Sequence, residues 1–168
     1  MNIPNVIYNR DNYINHIKPF MRTNAIKVMV GHRRVGKSYI LYQLINLINN
    51  EEQNANIIYI NKENLDFDAI RNYRDLYSYV KERLSDRRRN YIFIDEIQEI
   101  EEFHLAIRSL ALNENNDIYI TGSNSQMLSS DLANELGGRY VEFKIYSLSY
   151  LEFLKFHKLA NVDDSLEK

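Results

Sequence analysis

The 168-residue chain has no cysteine, which excludes disulfides and thiolate metal sites and agrees with a reducing compartment. It has no large excess of charge: 21 lysines and arginines stand against 23 aspartates and glutamates, a net charge of −2. No global basic field exists, so a nucleic-acid contact would need a local patch. No apolar run approaches membrane-spanning length. The opening MNIPNVIYNRDNY is too polar for a signal peptide, and a cytoplasmic location is expected. Internal repeats are also missing. The length and the 45% hydrophobic content suit one globular domain with a real core. Residues 1–168 are therefore read as a single domain, with 1–22 as a lead-in element.

Apolar spacing predicts a short helix over residues 11–22, which Pro19 could shorten, and a buried strand over Ala25–Val30 interrupted only by Lys27. A helix from Tyr39 to Leu47 follows, then a strand over Asn56–Ile60 and a largely helical Asp66–Asp86. Tyr91–Asp95 reads as the third strand, Glu99–Leu112 as a helix and Asp117–Thr121 as the fourth strand. Ser125–Leu136 reads as helix, and Gly137-Gly138 stops it before a fifth strand at Tyr140–Ile145. Val141, Phe143 and Ile145 alternate there with Glu142 and Lys144, as an edge strand with one wetter face does. A last helix opens with the capping box Ser149-x-x-Glu152. Strands alternating with helices predict an α/β fold, a parallel three-layer αβα sandwich.

Chemistry concentrates at Gly31-His32-Arg33-Arg34-Val35-Gly36-Lys37-Ser38, which fits G-x-x-x-x-G-K-[ST] between a strand and a helix. The glycines let the backbone wrap a phosphate chain so that its N–H groups and the next helix N-terminus face the anion. Lys37 adds a mobile positive charge, and Ser38 a hydroxyl for a magnesium ion that bridges the outer phosphates. The nucleotide-binding set thus runs from Gly31 to Tyr39, with ATP and Mg2+ as the implied ligands. Tyr91-Ile92-Phe93-Ile94-Asp95-Glu96 looks like a Walker B strand. A parallel sheet brings its strand C-termini to one edge, so Asp95 and Ser38 can share the metal while Glu96 acts as general base. Gln98 could fix that carboxylate or the water. Ser123 and Asn124, at the end of the fourth strand, have two readings. They are γ-phosphate sensors if that strand lies between the first and third, or Ser123-x-x-Gln126 is a capping box. Glu99, Glu101 and Glu102 read as the first turn of a helix, and His104 as the flank of a helix face. Arg139 reads on local grounds as a surface arginine beside a turn. The arginines 83, 87, 88 and 89 form the best basic cluster, diluted by Glu82 and Asp86.

The runs GHRRVGKS, YIFIDEIQ, YITGSNS and LGGRYVEFKIYSLSYLEF together resemble one group within the AAA+ superfamily of P-loop NTPases. Its members are predicted bacterial and archaeal ATPases joined to a C-terminal restriction-endonuclease-like domain of unknown function, and the resemblance covers residues 8 to 157. It implies ATP binding, a five-stranded parallel sheet of order 5-1-4-3-2, possible self-association, and Arg139 as an arginine finger or sensor. The sequence departs from that group by ending before a partner domain and by lacking an evident lid with a second sensor arginine. Weak turnover by this core is the expectation. The leading reading is magnesium-dependent ATP hydrolysis; a nucleotide-gated interaction module and a DNA-associated ATPase are the alternatives. A GTPase is disfavoured, because Asn61-Lys62-Glu63-Asn64 lacks the final aspartate of a guanine reader and comes too early.

Overall fold

A computed structural model describes residues 8–123 and 134–159 of the chain. Its first strand is β1 (Ile26–Val30), buried at every position. The other strands are β2 (Asn56–Asn61), β3 (Asn90–Asp95), β4 (Asn116–Gly122) and β5 (Tyr140–Lys144). All pair in parallel, in the order β2-β3-β4-β1-β5, which is the expected 5-1-4-3-2 sheet read from its other side. β3 and β4 are buried throughout, as central strands must be, whereas β5 at the edge is only half-buried.

Period-two alternation sorts the strand side chains onto two faces. Ile92, Ile94, Ile118 and Ile120 join Ile26, Val28 and Val30 in an aliphatic layer under α3 (Tyr73–Lys81) and α4 (Phe103–Leu110). Tyr91, Phe93 and Tyr119 face the other way with Met29, under α1 (Asp11–Ile17) and α2 (Lys37–Glu51). Phe93 and Tyr119 stack there with centroids 4.6 Å apart. Lys27, the one charge in β1, points into this second layer and pairs with Asp117, both side chains fully buried. At the N-terminal edge of the sheet, Asn56 donates to Asn90 at 2.7 Å and Asn90 to Asn116 at 3.0 Å, a ladder across three strand starts.

Two expected helices are shorter than their apolar spacing. Residues 66–86 contain a 3-10 turn at Leu65–Phe67 and then α3. The Lys62 ammonium takes the carbonyls of Phe67 and Ile70, and a capping box between Asn72 and Asp75 restarts the helix. The helix expected over Glu99–Leu112 is a 3-10 turn at Ile97–Glu99 followed by α4. The reason is a bridge to the neighbouring segment: Glu101 N–H donates to the Arg71 carbonyl and its own carbonyl accepts from Tyr73 N–H, both at 2.9 Å. That extends Glu101 and leaves Glu102 with φ 51°, so these acids do not form a first helical turn. α1 stops at Ile17, and Pro19 lies in the 3-10 turn Lys18–Phe20. α2 begins earlier than expected, at Lys37. Gly137 and Gly138 turn with φ 64° and 69° before β5, and α5 (Tyr150–His157) has its Ser149–Glu152 capping box. The helix expected over Ser125–Leu136 falls mostly outside the described residues. Among the described residues no helix is long and apolar enough to cross a membrane.

Candidate functional site

The C-terminal edge of the sheet is where β1 releases the chain into the Gly31–Ser38 loop. Gly31 is obligatory there for space: a Cβ would lie 2.2 Å from the carbonyl oxygen of Ile145. Arg34 and Gly36 take left-handed conformations with φ 65° and 95°, and α2 starts directly behind them. The side chains of His32, Arg33 and Arg34 are exposed, as is Tyr39.

Lys37 folds back over the loop. Its ammonium lies 3.2 Å from the Gly31 carbonyl, 3.1 Å from that of His32 and 3.2 Å from Glu96 Oε1. Asp95 and Glu96 close β3 beside it, 1% and 7% exposed. Burial pushes the Asp95 carboxyl above the usual range, against the lowering effect of the Ser38 and Thr121 hydroxyls; the Glu96 charge adds to the rise. Burial also opposes ionisation of Glu96, but hydrogen bonds from Ser123 and Gln98 and the Lys37 ammonium outweigh it and hold that carboxyl below its usual range. Ser123 Oγ and Gln98 Nε2 each donate to Glu96 Oε2 at 2.6 Å. Gln98 Oε1 is buried with no partner among the described residues. The neighbouring charges thus diverge: one carboxylate is poised beside the Ser38 hydroxyl, the other beside the lysine.

The fold brings together Lys37, Ser38, Asp95, Glu96 and Ser123. Asn124 and Gln126 lie outside the described residues. Arg139 is not part of the cluster. Its carbonyl accepts from Ile26 N–H at 2.8 Å, so it stands at the start of β1 while the loop stands at its end. Five residues of strand separate them, about 17 Å at ~3.3 Å per residue. Arg83 and Arg88 are at that same far edge and bond their own chain, Arg83 to the Tyr79 carbonyl and Arg88 to that of Asn54. His104 is 3.9 Å from Glu135, and among the described residues no three acids or histidines converge as a metal cage.

Two participants take roles that the sequence did not announce. Thr121 Oγ1 accepts from the Glu96 amide at 2.9 Å and donates to Asp95 Oδ1 at 2.5 Å; a polar residue directly after the apolar Ile118-Tyr119-Ile120 was its signal. Arg10, 5% exposed, binds the Val35 carbonyl of the loop at 3.0 Å, the Tyr146 carbonyl at 3.0 Å and Glu152 of α5 at 2.9 Å. It braces the loop against the β5–α5 connection. Beside that brace lies a cleft of about 560 Å³ lined by Tyr8, Arg34, Val35, Gly36, Tyr39, Phe153 and Phe156 among others, with Tyr8 and Phe156 rings 4.2 Å apart.

Comparison with known proteins agrees with this architecture. The family described as AAA domain matches residues 23–154. An uncharacterized protein of Haemophilus influenzae is 40% identical over 147 residues, 86% of this chain and 37% of its own. One from Methanocaldococcus jannaschii is 38% identical over 134 residues, 79% of this chain and 29% of its own. The chain therefore spans about a third of the length of these relatives. Among solved structures, Caenorhabditis elegans PCH-2 superposes with a TM-score of 0.64 at 14% identity, over 92% of this chain and 48% of that one. Cdc6p from Pyrobaculum aerophilum gives 0.55 at 14% identity, over 84% and 47%. These likenesses show the fold, that of the P-loop NTPases.

Proposed function

The chain belongs to the AAA domain family, a nucleotide-binding ATPase-like module, and we propose that it binds ATP with magnesium and hydrolyses its terminal phosphoanhydride bond. The observation that carries this reading is the convergence of Lys37, Ser38, Asp95 and Glu96 at one sheet edge, with Lys37 Nζ 3.2 Å from Glu96 Oε1. The loop amides and Lys37 hold the β- and γ-phosphates. Ser38 and Asp95 are hard oxygen donors side by side, the sparse set that magnesium takes when phosphates complete its shell. When bound, the ion would neutralise charge on the β- and γ-oxygens. Glu96 accepts a proton from a water whose oxygen attacks the γ-phosphorus, and ADP leaves with the bridging oxygen. Ser123, already on Glu96 Oε2, is positioned to report the γ-phosphate. The cleft between Tyr8, Tyr39 and Phe156 has the flat apolar walls a purine base needs.

The test is phosphate release with ATP and with GTP, in wild type and Glu96→Gln. The variant should bind ATP normally and lose about 100-fold or more of its release rate. Equal rates in the two proteins would remove Glu96 from the chemistry.

A second reading, a nucleotide-gated module with little turnover of its own, is favoured by one observation. Arg139 stands at the edge opposite its own loop. A finger arginine would have to reach the nucleotide of a neighbouring copy, so that assembly and not binding would set the rate. Release that rises with protein concentration, alongside self-association, supports this reading; release proportional to concentration at every dilution counts against it.

A further inference from the structure

Adjacent strand residues point to opposite faces, yet Asp95 and Glu96 serve the same edge. The chain resolves this by ending β3 at Asp95 and turning Glu96 left-handed, φ 55° and ψ 52°. For a residue with a Cβ that conformation is disfavoured, so something must hold it. The β3–β4 pairing ends at Ile94 and Ile120, which leaves the Glu96 amide without a ladder partner. Thr121, one residue further along β4 and fully buried, supplies the missing acceptor with its side chain, 2.9 Å from that amide. An amide can only donate, so the direction of this bond is fixed and the threonine proton remains for Asp95 Oδ1, 2.5 Å away. One hydroxyl therefore sets both carboxylates. With Oδ1 committed, Asp95 presents Oδ2, where the Tyr59 hydroxyl stands at 3.4 Å.

We propose that Thr121 is a positioning residue which, through a single hydroxyl, aims Asp95 at the metal and fixes Glu96 in its base conformation. The inference rests on the ATP reading. A methyl of the same shape in place of the hydroxyl lets Asp95 rotate and releases the Glu96 turn together, whereas serine keeps both bonds. Groups that orient a metal carboxylate in this way change metal affinity by about 10–100-fold when removed.

The experiment measures ATP affinity by calorimetry in EDTA and across a magnesium titration, for wild type, Thr121→Val and Thr121→Ser. Thr121→Val should bind ATP in EDTA as wild type does but need at least about 10-fold more magnesium for half-maximal enhancement. Its kcat should fall at unchanged KM for ATP, and Thr121→Ser should restore both. A wild-type magnesium curve for Thr121→Val overturns the proposal. No magnesium enhancement in wild type itself overturns the ATP–metal reading instead. Amide exchange in the wild-type protein gives a readout independent of how the variants fold: the Glu96 amide should be protected although it lies beyond the ladder, and unprotected exchange there also overturns the proposal.

Discussion

Replacing Gly31 by alanine tests how firmly the loop is braced. The new Cβ would stand 2.2 Å from the Ile145 oxygen and 3.2 Å from both the Ile145 carbon and Val35 Cγ2. An unstrained C···O contact needs about 3.3 Å, so the two backbones must separate by about 1 Å. Ile145 cannot retreat alone. Its N–H donates to the Val30 carbonyl at 2.7 Å, its side chain is buried, and the next two carbonyls are held by Arg10. Overpacking of this kind costs about 1–3 kcal/mol, and the rigid partners argue for the upper end. For a chain of this size that is a fall in Tm of about 6–12 °C. Loop amides displaced by about 1 Å should also weaken ATP binding by about 10-fold or more. Gly36→Ala is the control, since a Cβ there meets only Arg10 Nη1 at 3.8 Å and the penalty comes from its φ of 95° alone, about 1–2 kcal/mol. Calorimetric melting and ATP titration of both variants check the ranking. A Gly31→Ala protein that melts within about 1 °C of wild type and binds ATP equally well would show that the bracing is not rigid.

Two further outcomes follow from buried charge. Lys27→Met leaves the Asp117 carboxylate fully buried without its cation and should cost about 3–5 kcal/mol in urea unfolding. Adding Asp117→Asn should recover at least about 1 kcal/mol, because the stranded charge is then gone. In the Arg10–Glu152 pair, the hydrogen bond from the guanidinium holds the Glu152 carboxyl down to about 2. A depressed carboxylate contributes stability that is present above its unfolded value of ~4.3 and is lost as pH falls through the folded value. Stability should therefore decline between about pH 4.3 and 2, by about 1 kcal/mol after allowance for solvent screening. Glu152→Gln should remove that component, and unfolding curves at about pH 6 and about pH 2 measure it.

The strands were legible because they are runs of isoleucine, valine and aromatics bounded by polar residues, continuously apolar where both faces are buried, as in β3, and alternating at the edge, as in β5. The helix limits around Lys62 and Glu101 were not. There the backbone is claimed by a lysine side chain and by a two-bond bridge to a distant segment, and periodicity carries no trace of either. Lys37, Ser38, Asp95 and Glu96 could be found because parallel topology turns a strand-end motif into a location. Thr121 was hidden because threonine is an ordinary β-branched strand residue, chosen as often for shape as for its hydroxyl. The bracing role of Arg10 was hidden for a different reason: its partners Val35 and Glu152 are 25 and 142 residues away. Sheet order alone brings them to one place.

The contacts of Lys37 bear on how binding and chemistry would be joined. The same ammonium serves the Gly31 and His32 carbonyls and Glu96 Oε1. A terminal phosphate carries more charge than one carboxylate and competes for that ammonium at the mouth of the loop. Drawing Lys37 toward phosphate strips from Glu96 one of the groups that hold its carboxyl below the usual range, while the bonds from Ser123 and Gln98 stay on the other oxygen. The carboxylate then becomes a stronger base only when its substrate is present. On the proposed reading, occupancy is thereby coupled to basicity through one lysine. Arg139, at the far edge, is not among the charges that surround this carboxylate.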